Sequence, residues 1–527
     1  MTYGSHDASA ARTIRQAARM PTVARTFRYS RFRSSLLALR TAAAADVFSN
    51  PVRSGASAMV LCFSLAACGS GGPGGPGDVI VASSASSTRG AVTQSSSALA
   101  EPIVTSQALT LETAKRAFDF TNGIGIRADL ESDNGPNNYI TRWSTIGPAL
   151  NELKIKYVRM IAQDLATDIA KQNRVEQLRD DYNVKFLFTF GSATQSAGAM
   201  RNSIDWALGS NAAIAFEGPN EWSKFQYLVD QYEPLWADQL ANFQTNFHSY
   251  LTNSSWGNRP IVAPSVWFRD NWALNEMRIR GVDTKSTVGN IHYYHRSNQK
   301  PTEAVRREPN LATPNPNDSL SFDTTMDGVI NGLHSNFKPG TFWVTETGEQ
   351  TNAGGEGGSA VSEIQAAKYV PRLMMEFFKR NAARTFLFEL MDQGPDNGNY
   401  GLMRGDATRR PVFQAVKSLM TVLDDSGSAA ATFTPQHLNF SFTGTGISHL
   451  LLQKSNNSFL LVLWKDVVST DTSGQGQSTT LSWTGFTSPV VKSYYPRMSA
   501  TPDQSWSNVT SVPLVVRDDL LVVEITK

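Results

Sequence analysis

Two cysteines, Cys62 and Cys68, are all that the 527-residue sequence contains. A disulfide framework, a cysteine-based zinc site and a thiol nucleophile backed by a second thiol are therefore excluded. No GxxxxGK[ST] loop or HExxH pair occurs, and the glycine tract at 69–77 carries no lysine to meet a phosphate. The stretch DQGPDNGNYG (392–401) is rich in oxygen ligands but lacks the spacing of a calcium loop, and reads as a polar loop. No metal and no cofactor is expected. The apolar run Ala56–Ala67 spans twelve residues, short of the roughly 20 that a membrane-spanning helix needs. Lysine is absent before Lys115, while residues 1–53 hold nine arginines against Asp7 and Asp46. The formal net charge of +2 is thus a sum over a basic leader of +7 and a remainder of −5. Nucleic-acid binding would rest on that leader alone, and no nucleic-acid partner is expected.

What is present describes a globular chain. Hydrophobic residues make up 41% and charged ones 18%, with 38 glycines and 24 prolines, which rules out collagen-like or wholly disordered chains. The length suits two or three domains. Eleven Trp and 27 Phe offer aromatic surface for packing or ligands.

The run at 56–67 fits the h-region of a signal peptide. It ends in Leu65-Ala66-Ala67-Cys68, which resembles a bacterial lipobox. The resemblance implies lipidation of Cys68, which becomes the first residue of a mature lipoprotein, and a membrane partner through that anchor. Gly69, in place of the Asp that favours inner-membrane retention in such proteins, points to the outer membrane if the cell is Gram-negative. The preceding segment is long for an n-region. Either translation begins downstream, as at Val52, or the n-region is extended; an Arg-rich transit peptide is the other reading. After Cys68 the Gly/Pro and Ser/Ala/Thr-rich stretch 68–112 lacks the apolar content to fold and reads as a flexible tether.

From residue 113 to 425 β-rich runs alternate with helix-period runs. Strands are expected at Gly123–Arg127, Tyr157–Ile161, Val184–Phe190, Ile214–Glu217, Pro260–Trp267, Gly289–Tyr294, Thr341–Thr345 and Ala383–Leu390. Between them lie amphipathic stretches such as Thr167–Tyr182, Leu235–Leu251 and Ser362–Arg380. This alternation implies right-handed crossovers and a parallel sheet, and eight units imply an α/β fold, the (β/α)8 TIM barrel. Residues 426–527 change character to short β-rich runs between Ser/Gly/Asn turns, which reads as a small C-terminal antiparallel β-sandwich. A brace is favoured over a sugar-binding module for it, because it directly follows the last barrel helix.

Barrel chemistry sits at the C-terminal ends of the strands. Strand four ends IAFEGPNEW (214–222) and strand seven ends FWVTETGEQ (342–350), delivering Glu221 and Glu346 just past apolar strands. On the Asn220-Glu221 dipeptide, on Glu346 in Thr345-Glu346-Thr347 and on the eight-unit spacing, residues 118–425 resemble clan A glycoside hydrolases, the retaining "4/7" superfamily. Family 39 and family 5-like enzymes are the most similar.

The resemblance implies that Glu221 is the acid/base and Glu346 the nucleophile. Asn220 would grip the sugar 2-hydroxyl, while Arg159 and Tyr294 match clan residues that hydrogen-bond the nucleophile. Glycosidic cleavage by a pair about 5–5.5 Å apart needs one carboxyl protonated and one ionised, so Glu221 is expected to be raised by the Glu346 charge and partial burial. His292 resembles a strand-six site residue, and His295 is expected at the rim. Trp222 and Trp267, at strand ends, suit stacking on a pyranose or packing in the core. Glu389 suits binding of substrate hydroxyls or a buried ion pair with an arginine, and Glu217, lacking a preceding Asn, is the lesser choice for the acid. The implied function is a retaining hydrolase of β-glycosidic bonds in a polysaccharide or oligosaccharide, tethered to the cell envelope and monomeric. A transglycosidase or cell-wall remodelling enzyme with the same residues, and a non-catalytic carbohydrate-binding protein on the same scaffold, are the alternatives.

Overall fold

The computed structural model describes residues 108–128, 130, 138–225, 235–266, 271–295, 298–303, 325–337, 340–351, 360–393, 398–472, 474 and 476–526. Eight parallel strands build the first layer: β1 (Ile124–Arg127), β2 (Tyr157–Ile161), β3 (Lys185–Phe190), β4 (Ala213–Pro219), β5 (Ile261–Val262), β6 (Gly289–Tyr293), β7 (Phe342–Thr347) and β8 (Ala382–Leu387). Their order is β5-β4-β3-β2-β1-β8-β7-β6, and a parallel bridge from Val262 to Val288, just before β6, closes the ring. The fold is the (β/α)8 barrel that the alternating pattern predicts. A helix follows each strand: α1 (Trp143–Glu152), α2 (Ile169–Tyr182), α3 (Ala197–Gly209), α4 (Leu235–Thr252), α5 (Asn271–Ile279), α6 (Met326–Asn336), α7 (Glu363–Lys379) and α8 (Pro411–Val422). Local chemistry starts several of them. Asp168, Ser196 and Thr325 accept N-terminal amides of α2, α3 and α6, Ser362 and Gln365 form a reciprocal capping box on α7, and Pro411 opens α8. Among the described residues no helix is long and apolar enough to cross a membrane.

Period-two alternation sorts the strand side chains. On β4, Phe216 faces outward to Phe247 of α4, while Ala215 joins an inner cluster with Leu187, Val262, Val288, Trp343 and Phe386. That cluster plugs the barrel floor. One step along the same strands, the inner positions turn polar: Arg159, Glu217, Asn290 and Thr345 are all buried. The site is built directly above this layer.

The C-terminal strands are β9 (His437–Phe442), β10 (Ile447–Gln453), β11 (Phe459–Lys465), β12 (Gln477–Thr484), β13 (Val490–Tyr494), β14 (Gln504–Ser507), β15 (Ser511–Val516) and β16 (Leu521–Thr526). They form the expected sandwich, and two N-terminal segments complete it. Thr110–Thr113 pairs antiparallel with β9 at the edge of a four-stranded sheet, and Lys115–Arg116 pairs with β10 at the edge of a six-stranded one. The sequence pattern places these residues in the tether and the start of the barrel; neither TLET nor KR carries an apolar alternation to show otherwise.

The six-stranded sheet is buried on both faces. Leu450, Leu452, Leu460, Val462, Trp464 and Val522 belong to the barrel's own core, while Leu451, Leu461, Leu463 and Val523 fill the space between the sheets. Helix α7 is the seam. Its buried Lys368 pairs with Asp518 at 2.9 Å, Arg372 with Asp466 at 3.0 Å, and Glu376 accepts from Trp464 Nε1 at 2.9 Å.

Candidate active site

Strand ends place the carboxylates. β4 stops at Pro219, Asn220 N–H donates to Phe190 O, and Glu221 turns into the left-handed region with φ 46°, its amide held by Ser265 Oγ at 3.0 Å. A non-glycine residue there carries strain on the order of 1–3 kcal/mol, which the surrounding hydrogen bonds must hold. Gly218 permits the turn, since a Cβ there would lie 2.5 Å from Pro264 Cγ. On the far side, the β6–β7 ladder is irregular: Ile291 pairs with Val344 but His292 with Glu346. That irregularity lets the consecutive Thr345 and Glu346 both meet the His292 ring. Gly348 lets the chain leave, because a Cβ would lie 2.1 Å from Phe388 O.

Arg159 organises the centre. Its Nε and Nη2 donate to the two oxygens of Glu217 at 2.7 and 2.8 Å, Nη1 donates to Glu346 Oε1 at 2.6 Å, and Nη2 also donates to Asn220 Oδ1 at 2.7 Å. Tyr294 donates to the other oxygen of Glu346 at 2.9 Å. His292 Nδ1 lies 2.8 Å from Glu221 Oε1 and 3.5 Å from Glu346 Oε2, and its Nε2 lies 3.0 Å from Thr345 Oγ1. Thr345 donates to Asn290 Oδ1 at 2.7 Å, and Asn290 Nδ2 donates to Glu217 Oε1 and Ala263 O, both at 3.0 Å.

The electrostatics follow from these contacts. Burial alone would raise the Glu346 carboxyl, but the charges of His292, Arg159 and Arg127 and the Tyr294 hydrogen bond outweigh it and bring it down to about 2. Burial, and after it the Glu346 charge, pushes the Tyr294 phenol well above its ordinary value, so it stays a donor. For His292 burial works downward, yet the Glu346 charge and the Glu221 contact prevail over it and over the opposing Arg159, and the imidazole is raised above 6.5.

Among the described residues Glu221, His292 and Glu346 each offer one ligand atom within 4.8 Å of the others. Both oxygens of Glu346 are already engaged by a guanidinium and a phenol, so a cation set there would share its carboxylate with the Arg159 charge. The cluster is suited to moving protons.

The structure thus brings Glu221, Glu346, Asn220, Arg159, His292 and Tyr294 together. Other expectations come out differently. Glu389 is fully buried with the Tyr139 hydroxyl 3.3 Å from its carboxylate, and so is not presented to a substrate. His295 is buried rather than at the rim, 2.8 Å from Glu349 and edge-on to Tyr369. Trp222 is half-buried against the barrel core and donates to Gln239 of α4, which favours packing over stacking on a sugar. Cys68, Trp267 and residues 394–397 of the polar loop lie outside the described residues. Sequence reasoning missed Asn290, Thr345 and Ser265, and took Glu217 only as a second choice for the acid. A period-two signal existed along β6 and the residue after it, where Asn290, His292 and Tyr294 all reach the site.

In its fold, a (β/α)8 barrel with a β-sandwich, the chain is similar to solved glycoside hydrolases. It is similar to a family 39 glycoside hydrolase from the gut symbiont Bacteroides cellulosilyticus WH2, with a TM-score of 0.51 and 12% identity over 78% of this chain and 82% of that one. A glucosidase from Croceicoccus marinus gives a TM-score of 0.53 and 12% identity over 80% of this chain and 99% of that one. No protein-family model and no curated protein matches the sequence.

Proposed function

We propose that the chain is a retaining glycoside hydrolase that cleaves β-glycosidic bonds of a polysaccharide or oligosaccharide by double displacement. The observation that carries this is the carboxylate spacing. One oxygen of Glu221 lies within 4.8 Å of one oxygen of Glu346, which suits a retaining pair and falls short of the about 6.5–9.5 Å that inverting enzymes keep between their carboxyls. In the first step Glu346 attacks the anomeric carbon while Glu221 gives its proton to the departing oxygen, leaving a glycosyl ester on Glu346. In the second step Glu221 takes a proton from water, whose oxygen displaces Glu346. Arg159 and Tyr294 keep the nucleophile ionised and aimed. Asn220 is held through Oδ1 by Arg159, which leaves its amide nitrogen for a sugar hydroxyl.

A 2-fluoro-glycosyl inhibitor is expected to label Glu346, and Glu346→Ala to lower kcat by about 10³-fold or more, the scale of a lost covalent step. Label elsewhere, or an active Glu346→Ala, would sink the reading. Water rather than a second sugar as the acceptor distinguishes hydrolysis from transglycosylation in the same assay.

The enzyme is also proposed to be a lipoprotein of the cell envelope, held to its membrane through Cys68. The lipobox-like Leu65–Cys68 and the Gly/Ser-rich stretch behind it support this, and two acyl chains suffice for stable anchoring where one does not. Cys68→Ser is expected to lose incorporated fatty acid and leave the membrane fraction; a variant that keeps both would refute the anchor.

A further inference from the structure

Buried hydrogen bonds have a direction, and here each direction is forced by its neighbour. Glu217 is clamped by two N–H groups of Arg159 and can only accept. Asn290 Nδ2 lies between Glu217 Oε1 and the Ala263 carbonyl, both acceptors, so its amide has one possible orientation and Oδ1 faces Thr345. The Thr345 hydroxyl has one hydrogen. Its two acceptor neighbours are Asn290 Oδ1 at 2.7 Å and Glu217 Oε1 at 3.3 Å. Whichever takes that hydrogen, the remaining contact at 3.0 Å must be a donation from His292 Nε2 to Thr345. The imidazole proton is therefore on Nε2 in both charge states, and Nδ1 is the nitrogen that titrates. Nδ1 faces Glu221 Oε1 at 2.8 Å, a separation that requires a proton in the gap.

We infer that Glu217, Asn290 and Thr345 are positioning residues that fix the His292 tautomer, so that His292 decides which oxygen of Glu221 carries the acid proton. The inference rests on the glycosidase reading for its catalytic consequence. With His292 charged, Nδ1–H donates to Glu221 Oε1, and Glu221 carries its own proton on Oε2. That proton passes to the departing oxygen as the glycosidic bond breaks, and the new carboxylate keeps the Nδ1–H bond. In the second step Oε2 takes the proton of the attacking water as the Glu346 ester bond breaks. When His292 loses its Nδ1 proton, the bare nitrogen draws the Glu221 proton onto Oε1, into the gap and away from the leaving group. Alkaline loss of activity is thus a misplacement of the proton. The charged and titratable groups around the ring are Glu221 beyond β4, Arg159 on β2, Glu346 on β7 and Tyr294 on its own segment, with Glu217 behind Thr345 and Asn290.

The test is nitrogen NMR of the full chain labelled in its seven histidines, with His292 assigned from the spectrum of His292→Gln. From about pH 5 to about pH 9, around the ordinary histidine range, Nε2 is expected to stay protonated while Nδ1 alone titrates. A neutral His292 protonated on Nδ1 would overturn the proposal whatever the enzyme's activity. Thr345→Val is expected to mix the two tautomers, move the basic limb of kcat/KM to lower pH, and cut kcat/KM at pH 7 about tenfold, part of the usual 10²–10⁴ of acid catalysis. Thr345→Ser restores all three. A valine variant with the wild-type tautomer and limb would mean that Thr345 does not set the tautomer, and overturns the proposal. Should that variant not fold, the wild-type spectrum alone decides. Loss of turnover on every glycoside with the predicted tautomer intact would instead count against the hydrolase reading.

Discussion

Glu346 is a buried carboxylate with a guanidinium on one oxygen and a phenol on the other. Its folded value of about 2 lies below its ordinary 4.5, so ionisation favours the folded state. That contribution is complete above about pH 4.5 and is lost as pH falls toward 2. His292 has the opposite sign. Raised above 6.5, its contribution is complete below that value and is lost as pH rises through the folded one. The two groups are coupled, since the Glu346 charge is the largest influence raising His292. Glu346→Gln is therefore expected to flatten the urea-midpoint curve at both ends. The difference from wild type on the acid side should be on the order of 3 kcal/mol, because each tenfold change in proton affinity is worth about 1.4 kcal/mol. Parallel curves for the two proteins between about pH 2 and pH 5 would show that the carboxylate is not held as described. For the proposed hydrolase, the acid limb of kcat/KM above about pH 3 then belongs to a group other than Glu346, which remains ionised there.

Elements differ in how much of them the sequence discloses. Strands β4 and β7 are legible because each begins as an apolar run that ends abruptly in polar residues, and the same endings expose Glu221 and Glu346. β5 is not: of the expected strand 260–267, the described residues 260–266 form a strand only at Ile261–Val262. Pro264 lacks the N–H that a continued ladder needs, and its ring packs where β4 turns at Gly218. Strands β10, β11 and β16 read as continuous apolar runs because both their faces are covered, one by the barrel and one by the second sheet. Thr110–Arg116 shows no such pattern, since its place is set by edge pairing with strands more than 300 residues away. The polar layer is hidden for a related reason. Glu217, Asn290 and Thr345 look like ordinary strand residues until contacts across 55 to 128 positions join them. His295, read as a rim residue, is buried edge-on against Tyr369 of α7 and beside Glu349.

At the scale of the whole molecule the six-stranded sheet is a middle layer and cannot be detached without opening the barrel's core. Trp464 illustrates this: it is fully buried, counts among the barrel's core residues, and donates to Glu376 on α7. The ion pairs at the seam tie the same elements. Lys368 and Arg372 each have side chains with no exposed surface, and removing one partner of such a pair typically costs about 3–5 kcal/mol because a buried charge is left uncompensated. A sandwich serving as an independent sugar-binding module would show a polar, hydrated boundary instead. The described chain is therefore expected to unfold as one cooperative unit despite its size. Circular dichroism, which follows the barrel helices, and hydrogen exchange of the amides in the sandwich strands should give coincident urea transitions. A chain ending at Asp425 should expose the surface that Leu450, Leu460 and Val522 cover and fail to give soluble, folded barrel. Two separated transitions, or a soluble truncated barrel with native circular dichroism, would make the sandwich an appendage and return the sugar-binding role to it.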